Sequence, residues 1–124
     1  KEELIGDFDS LVPEYGAAGF ELDRVDYALG TPPHTLVLAS SSGHSEAYQH
    51  VIEEVNYSNP KEGGPSNPLV RADIVYFEYP NDGAVFSVGS ISWGGSLSYN
   101  QYKNNVSRIT DNVLTRFSSE DRLT

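Results

Sequence analysis

Three short stretches of this chain carry residue types that can do chemistry. In the first, Gly16-Ala17-Ala18-Gly19-Phe20-Glu21-Leu22-Asp23-Arg24, small residues let the backbone approach another segment closely. Glu21 and Asp23 lie two apart, so in extended chain both project to one side. A carboxylate such as Glu21 can serve as general base or acid beside a reacting carbonyl or a metal-bound water. The plainer reading is that Arg24 pairs with one of the two acids and the stretch only packs a turn. The second stretch is the loop Ser40-Ser41-Ser42-Gly43-His44-Ser45-Glu46. Where such a loop leaves a strand and enters a helix, free helix amides can take an anion or a developing oxyanion. His44 adds an imidazole that titrates near neutrality. The alternative is a capped helix with a half-exposed histidine. The loop holds no Gly-x-Ser-x-Gly elbow, no Gly-x-Gly-x-x-Gly fingerprint and no P-loop lysine.

The third stretch, Gly89-Ser90-Ile91-Ser92-Trp93-Gly94-Gly95-Ser96-Leu97-Ser98, sets a tryptophan beside glycines at the expected end of a strand. Trp93 there either stacks on a ligand or, as tryptophan more often does, anchors a core or an interface. His44, Glu46 and His50 are three potential metal donors within seven residues, but ordinary surface helices carry the same residue types. No metal ligand is therefore assigned to this chain.

These residues need elements to position them. After the breaker Gly30-Thr31-Pro32-Pro33, the run His34 to Ala39 is nearly continuous in apolar residues, the pattern of a central strand buried on both faces. Ala47, Tyr48, Val51, Ile52 and Val55 have the spacing of one helix face, with Glu46 in its first turn at the positive end of the dipole. Residues 56–68, rich in proline and glycine, read as a surface loop. Ala72 to Tyr79 and Ala84 to Trp93 are two β runs joined by Pro80-Asn81-Asp82-Gly83, so an antiparallel hairpin is expected. Tyr102, Val106, Ile109, Val113, Leu114 and Phe117 line one face of a closing helix. Strand, helix, hairpin and helix in that order predict a small layered α/β unit, a single domain over residues 1–124.

Composition excludes several classes of function. Eight Lys and Arg against eighteen Asp and Glu give a formal charge of −10, a field that repels phosphate backbones and anionic bilayers, so neither nucleic acid nor a membrane is an expected partner. The longest apolar run, Leu36 to Ala39, is far short of the roughly 20 residues that span a bilayer. With no cysteine there is no disulfide, thiolate nucleophile or iron–sulfur ligand. With no methionine and no leader pattern, the chain is expected to continue upstream of Lys1 and to be cytoplasmic.

Several of these stretches resemble one family, the C-terminal region of the large subunit of N,N-dimethylformamidase and its relatives. The likeness is carried by Gly16 to Arg24, Leu29-Gly30-Thr31-Pro32-Pro33-His34, Gly43-His44-Ser45, Gly83-Ala84-Val85-Phe86-Ser87-Val88-Gly89-Ser90-Ile91 and Asn105-Val106-Ser107-Arg108-Ile109-Thr110. It spans the chain from about Gly6 to Phe117. The resemblance implies a glutamine-amidotransferase-like (Rossmann-like) fold without the catalytic cysteine, and a mononuclear iron enzyme of large and small subunits. That enzyme hydrolyses dimethylformamide to formate and dimethylamine. It implies that iron is held by two Tyr and one Glu in upstream domains, none in this chain, and that Glu21 is the carboxylate assisting the reaction; His44, from the reading of its loop, is the second catalytic candidate. The expected partners are those upstream domains, a small subunit, a small amide and further copies in an oligomer, and the chain alone is expected to be inactive. Two other readings stay open: a non-catalytic interaction module, and a metal site of His44, Glu46 and His50 within the domain.

Overall fold

The computed structural model describes residues 3–8, 16–51, 61–81 and 83–121. Among these residues three strands, β1 (Leu36–Ser40), β2 (Asp73–Tyr79) and β3 (Gly83–Ser87), form one sheet in the order β1-β2-β3, with both pairings antiparallel. Two α-helices follow among the described residues, the short α1 (Ser92–Ser96) and the longer α2 (Asn105–Phe117). This mixture of helices and a sheet is compatible with the α/β class expected.

The hairpin β2–β3 forms where alternation and turn residues place it, with Tyr79 opposite Gly83 and Asn81 in the left-handed region at φ 68°. Asp82 lies outside the described residues. The second β run ends early. The chain leaves the sheet after Ser87, turns at Gly89 with φ 66°, and Ser92–Ser96 coil into α1 instead of extending to Trp93. Packing overrides the two helix-breaking glycines Gly94 and Gly95. Trp93, 6% exposed, is driven into a core with Ala17 and Val106, and Ile5, Phe8, Ile74, Val88, Leu97 and Ile109 pack around it. Its indole N–H donates to Thr110 Oγ1 at 3.0 Å, so the core reading of Trp93 holds.

β1 is a strand, as its residues predict, but not a central one. Among the described residues it forms one edge of the sheet, and Leu36, Val37 and Leu38 are 57%, 46% and 55% exposed. The centre belongs to β2, whose Val75 is buried. A continuous apolar run reports that a strand seeks cover on both faces, and among the described residues that cover is lacking on β1.

α2 is amphipathic as expected, yet its packing is confined to its first half. Val106 is fully buried and Ile109 touches the core, while Leu114 and Phe117 are exposed and Tyr102 lies before the helix in a left-handed turn. Asn104 caps α2: its Oδ1 accepts the Ser107 N–H at 2.9 Å, and its Nδ2 donates to the Tyr99 carbonyl at 2.7 Å. Asn104→Ala removes both bonds and is expected to cost about 1 kcal/mol of stability, read as a lowered thermal midpoint.

Candidate functional site

The stretch 16–24 is clamped from several sides. Ala17 N–H donates to the Gly6 carbonyl at 3.1 Å, and a Cβ on Gly6 would run into that of Ala17. The buried Ser90 hydroxyl accepts from Gly19 N–H at 2.9 Å and donates to the Gly19 carbonyl at 2.6 Å. Beyond, Asp23 N–H donates to Gly89 O at 2.8 Å and Asp73 N–H to Asp23 O at 3.0 Å, which ties the stretch to the start of β2. Between these anchors Phe20 is forced into the left-handed region at φ 64°, a conformation that costs an L-residue roughly 1–2 kcal/mol, and its N–H donates to the Tyr48 hydroxyl at 3.2 Å. Strain of this kind persists only where the surroundings over-determine it, and it clusters at functional sites. Glu21 follows at once, exposed, on the rim of an open cavity of about 640 Å³ shared with Arg24, Asp26, Tyr48 and His50.

Arg24 does not pair with Glu21 or Asp23. Its guanidinium bonds Asp26 Oδ2 at 2.8 Å and the Val25 carbonyl at 2.9 Å, and lies 3.5 Å from His50 Nε2. The reason is alternation: in extended backbone, residues 24 and 26 share one side and 21 and 23 the other. The ion pair with Arg24 holds the Asp26 carboxyl below its ordinary value. His50 Nδ1 faces Glu62 Oε2 at 3.5 Å, and that oxygen also accepts from Asn67 Nδ2 at 2.6 Å.

The loop after β1 builds a second site. Ser41 N–H donates to Ala72 O at 2.8 Å, Ala72 N–H donates to Ser41 Oγ at 2.7 Å, and the same Oγ lies 2.6 Å from His44 Nε2. Ser41 Oγ, already accepting from Ala72, keeps one proton and one lone pair, and the tautomer of the ring decides which of them meets Nε2. Burial pushes the His44 imidazole below its ordinary pKa, so it is neutral at pH 7. Ser41 and His44 line a cavity of about 300 Å³ with Ala18, Ala39, Ile74 and Trp93. A neutral imidazole against a hydroxyl can accept and return a proton, whereas Glu21 sits in the other cavity.

The helix expected from Ala47 is not formed in its described part. Residues 46–51 make a turn and an isolated bridge from Gln49 to Gly63, and residues 52–55 lie outside the described residues. Pairing with a distant segment wins over local periodicity: Gly64 N–H donates to Tyr48 O at 3.1 Å and His50 N–H to Glu62 O at 2.8 Å. The oxyanion reading of this loop thereby loses the helix amides it relied on, and Glu46 is not at a helix dipole. Its carboxylate covers Gly63, where a Cβ would collide with it. His50 faces the larger cavity and His44 the smaller. Among the described residues no three His, Asp or Glu side chains come together as a metal site, so His44, Glu46 and His50 do not form one.

Asp73 was not singled out from the sequence, because an acid in a β run reads as solvent face. It is 2% exposed. Its Oδ1 accepts from Ser40 Oγ at 2.6 Å and Arg71 Nε at 2.9 Å, and its Oδ2 from Val25 N–H at 2.9 Å. The signal available was Arg71 two residues earlier, which alternation places on the same side. Asp73→Ala leaves a buried set of donors unmatched and is expected to cost about 3 kcal/mol, the low end for breaking a buried pair, since Arg71 at 28% exposure can turn to water.

Burial alone would raise the Asp73 pKa, but the bonds from Arg71, Ser40 and Val25 outweigh it and hold the carboxyl below its ordinary value. A depressed folded pKa contributes stability above the unfolded value of about 3.9 that is lost as pH falls through the folded one. His44, also depressed, contributes in the same direction from about pH 6.5 downward. Thermal midpoints are therefore expected to fall on acidification in two stages, and His44→Gln should remove the earlier one.

A clamped glycine-rich stretch presenting an acid, beside a three-stranded sheet and a capped closing helix, defines a small α/β domain with an open-faced candidate site. Residues 3–105 match the model of the family described as N,N-dimethylformamidase beta subunit-like, C-terminal, and the chain belongs to that family. It is 54% identical over 106 residues to the N,N-dimethylformamidase beta subunit of Paracoccus aminophilus, which covers 86% of this chain and 14% of that protein. It is 52% identical over 120 residues to the N,N-dimethylformamidase beta subunit of an Alcaligenes species, covering 97% of this chain and 16% of the relative. The chain thus spans about one-seventh of the length of the curated relatives it matches. Among the described residues no helix is long and apolar enough to cross a membrane.

Proposed function

We propose that this domain is the C-terminal part of a cytoplasmic, iron-dependent amidohydrolase acting on dimethylformamide or a similar small amide. In this reading Glu21 is a carboxylate of a reaction centre completed by upstream domains and a small subunit, in an oligomer. The observation that carries it is Phe20: a strained, exposed residue, pinned by neighbours clamped to Ser90 and Gly89, sets Glu21 outward on an open rim. Such a carboxylate can take a proton from attacking water and return it to the departing amine. His44, neutral and hydrogen-bonded to Ser41, is the second proton carrier proposed.

Among the described residues no three His, Asp or Glu side chains gather as a metal site; the iron is proposed to be held by upstream residues, and no step here runs through it. The three antiparallel strands are read as part of a larger glutamine-amidotransferase-like sheet. Turnover of the intact enzyme carrying Glu21→Gln, with iron content measured alongside, tests the reading, and an unchanged turnover overturns the role of Glu21. The domain alone is expected to hydrolyse no amide.

A further inference from the structure

Among the described residues β1 is the less protected of the two edges of the sheet. Natural edge strands are guarded by lysine, proline, an inward-facing charge or extreme shortness, because open N–H and C=O groups template pairing with other strands. Leu36-Val37-Leu38-Ala39-Ser40 has no charge and no proline, and three large apolar side chains in a row are about half exposed. Its single irregularity, a bulge between Val37 and Ala39 in the pairing with β2, shifts the register without adding a charge. The opposite edge differs, since four of the five residues of β3 are half-buried.

We propose that β1 is completed by a strand from the upstream part of the same polypeptide, which pairs along its free edge and lays apolar side chains over Leu36, Val37 and Leu38. This rests on the reading of the chain as one domain of a longer subunit. Three observations select that occupant. Consecutive apolar residues suit a strand covered on both faces, and in this structure Leu36 and Leu38 on one face and Val37 on the other all stay about half exposed. The matched relatives carry about six-sevenths of their length outside the shared C-terminal region, so a tethered strand is at hand at the millimolar effective concentration that linkage gives. A second copy is disfavoured, because pairing two β1 edges would bring together two domains of charge −10.

Hydrogen exchange on the intact subunit, followed over Leu36–Ser40 across a range of protein concentration, tests this. The expected result is that all β1 amides, including those not bonded to β2, exchange at least about 100-fold more slowly than in unfolded chain, independently of concentration. Rapid exchange of the outward amides would overturn the proposal, as would protection that appears only at high concentration, the mark of a second copy. Leu38→Lys in the intact subunit gives an independent reading. A covered strand loses several degrees of thermal midpoint, and an unchanged midpoint refutes the cover. Neither readout uses activity, so the outcome stands whether or not Glu21 is catalytic.

Discussion

In the intact enzyme, Glu21→Gln is expected to lower turnover by about 10²- to 10⁴-fold, the range a positioned general acid or base supplies. Glutamine keeps the size and hydrogen-bonding reach of the side chain but cannot carry the proton. Folding should be untouched, because Glu21 is exposed and the clamp around it is made by the backbone of Gly19 and Asp23 with Ser90 and Gly89. Iron content should also be unchanged if its ligands lie elsewhere. A fall in kcat with a near-constant KM would mark an interaction made only in the transition state. Loss of iron together with activity would mean that Glu21 is a ligand or supports one, and a wild-type rate would remove it from the chemistry.

Gly89→Ala is expected to destabilise the domain by at least about 4 kcal/mol, enough to abolish folding of a marginally stable unit. Two effects add. Gly89 sits at φ 66°, which a side chain resists, and a Cβ there would lie 2.6 Å from Asp73 O, 2.7 Å from Asp23 O and 2.9 Å from Asp73 N. All three are backbone atoms, so no rotamer change relieves the overlap. The same three backbones carry the hydrogen bonds that align the Glu21 stretch with β2, so a partly folded variant should lose activity along with structure. Gly94→Ala is the control. It lies in α1 with open space around its Cβ position, and should be neutral or slightly stabilising. Circular dichroism and thermal melting of the two variants separate the cases.

The parts of the fold legible in the sequence were those decided by local pattern. The hairpin followed from alternation and the Asn81 to Gly83 turn, and α2 from its 3.6-residue period. What local pattern missed was decided by distant partners. The Ala47 to Val55 periodicity promised a helix, but in its described part, up to Val51, residues 48 and 50 bond to residues 64 and 62. The run into Trp93 read as strand until burial of the indole against Val106 made Ser92–Ser96 helical despite two glycines. β1 was recognised as a strand, while its place at the edge depended on neighbours that local sequence does not name. At the candidate site, residue types pointed to Glu21 and His44, and alternation, applied one step further, would have paired Arg24 with Asp26. The Ser41–His44 pair was legible only as a loop, since a contact of i, i+3 residues in irregular backbone has no periodic signature. The stretch Asn105 to Thr110 carried family likeness and no chemistry, and the structure gives the reason: Val106 fills the core, Asn105 and Arg108 hold the start of the chain, and Thr110 receives the Trp93 indole.

Asn105 accepts the Gly6 N–H at 3.0 Å and donates to the Leu4 carbonyl at 2.7 Å, joining residues 99 and 101 positions apart. During synthesis at roughly 5–20 residues per second, Leu4 to Gly6 must therefore wait on the order of 5 to 20 seconds for that partner to be made. The core around Val106 cannot close before residues 105–110 clear the ribosome, so until then the polar backbone of Leu4 to Gly6 and the apolar faces of Ala17 and Trp93 stay open to water.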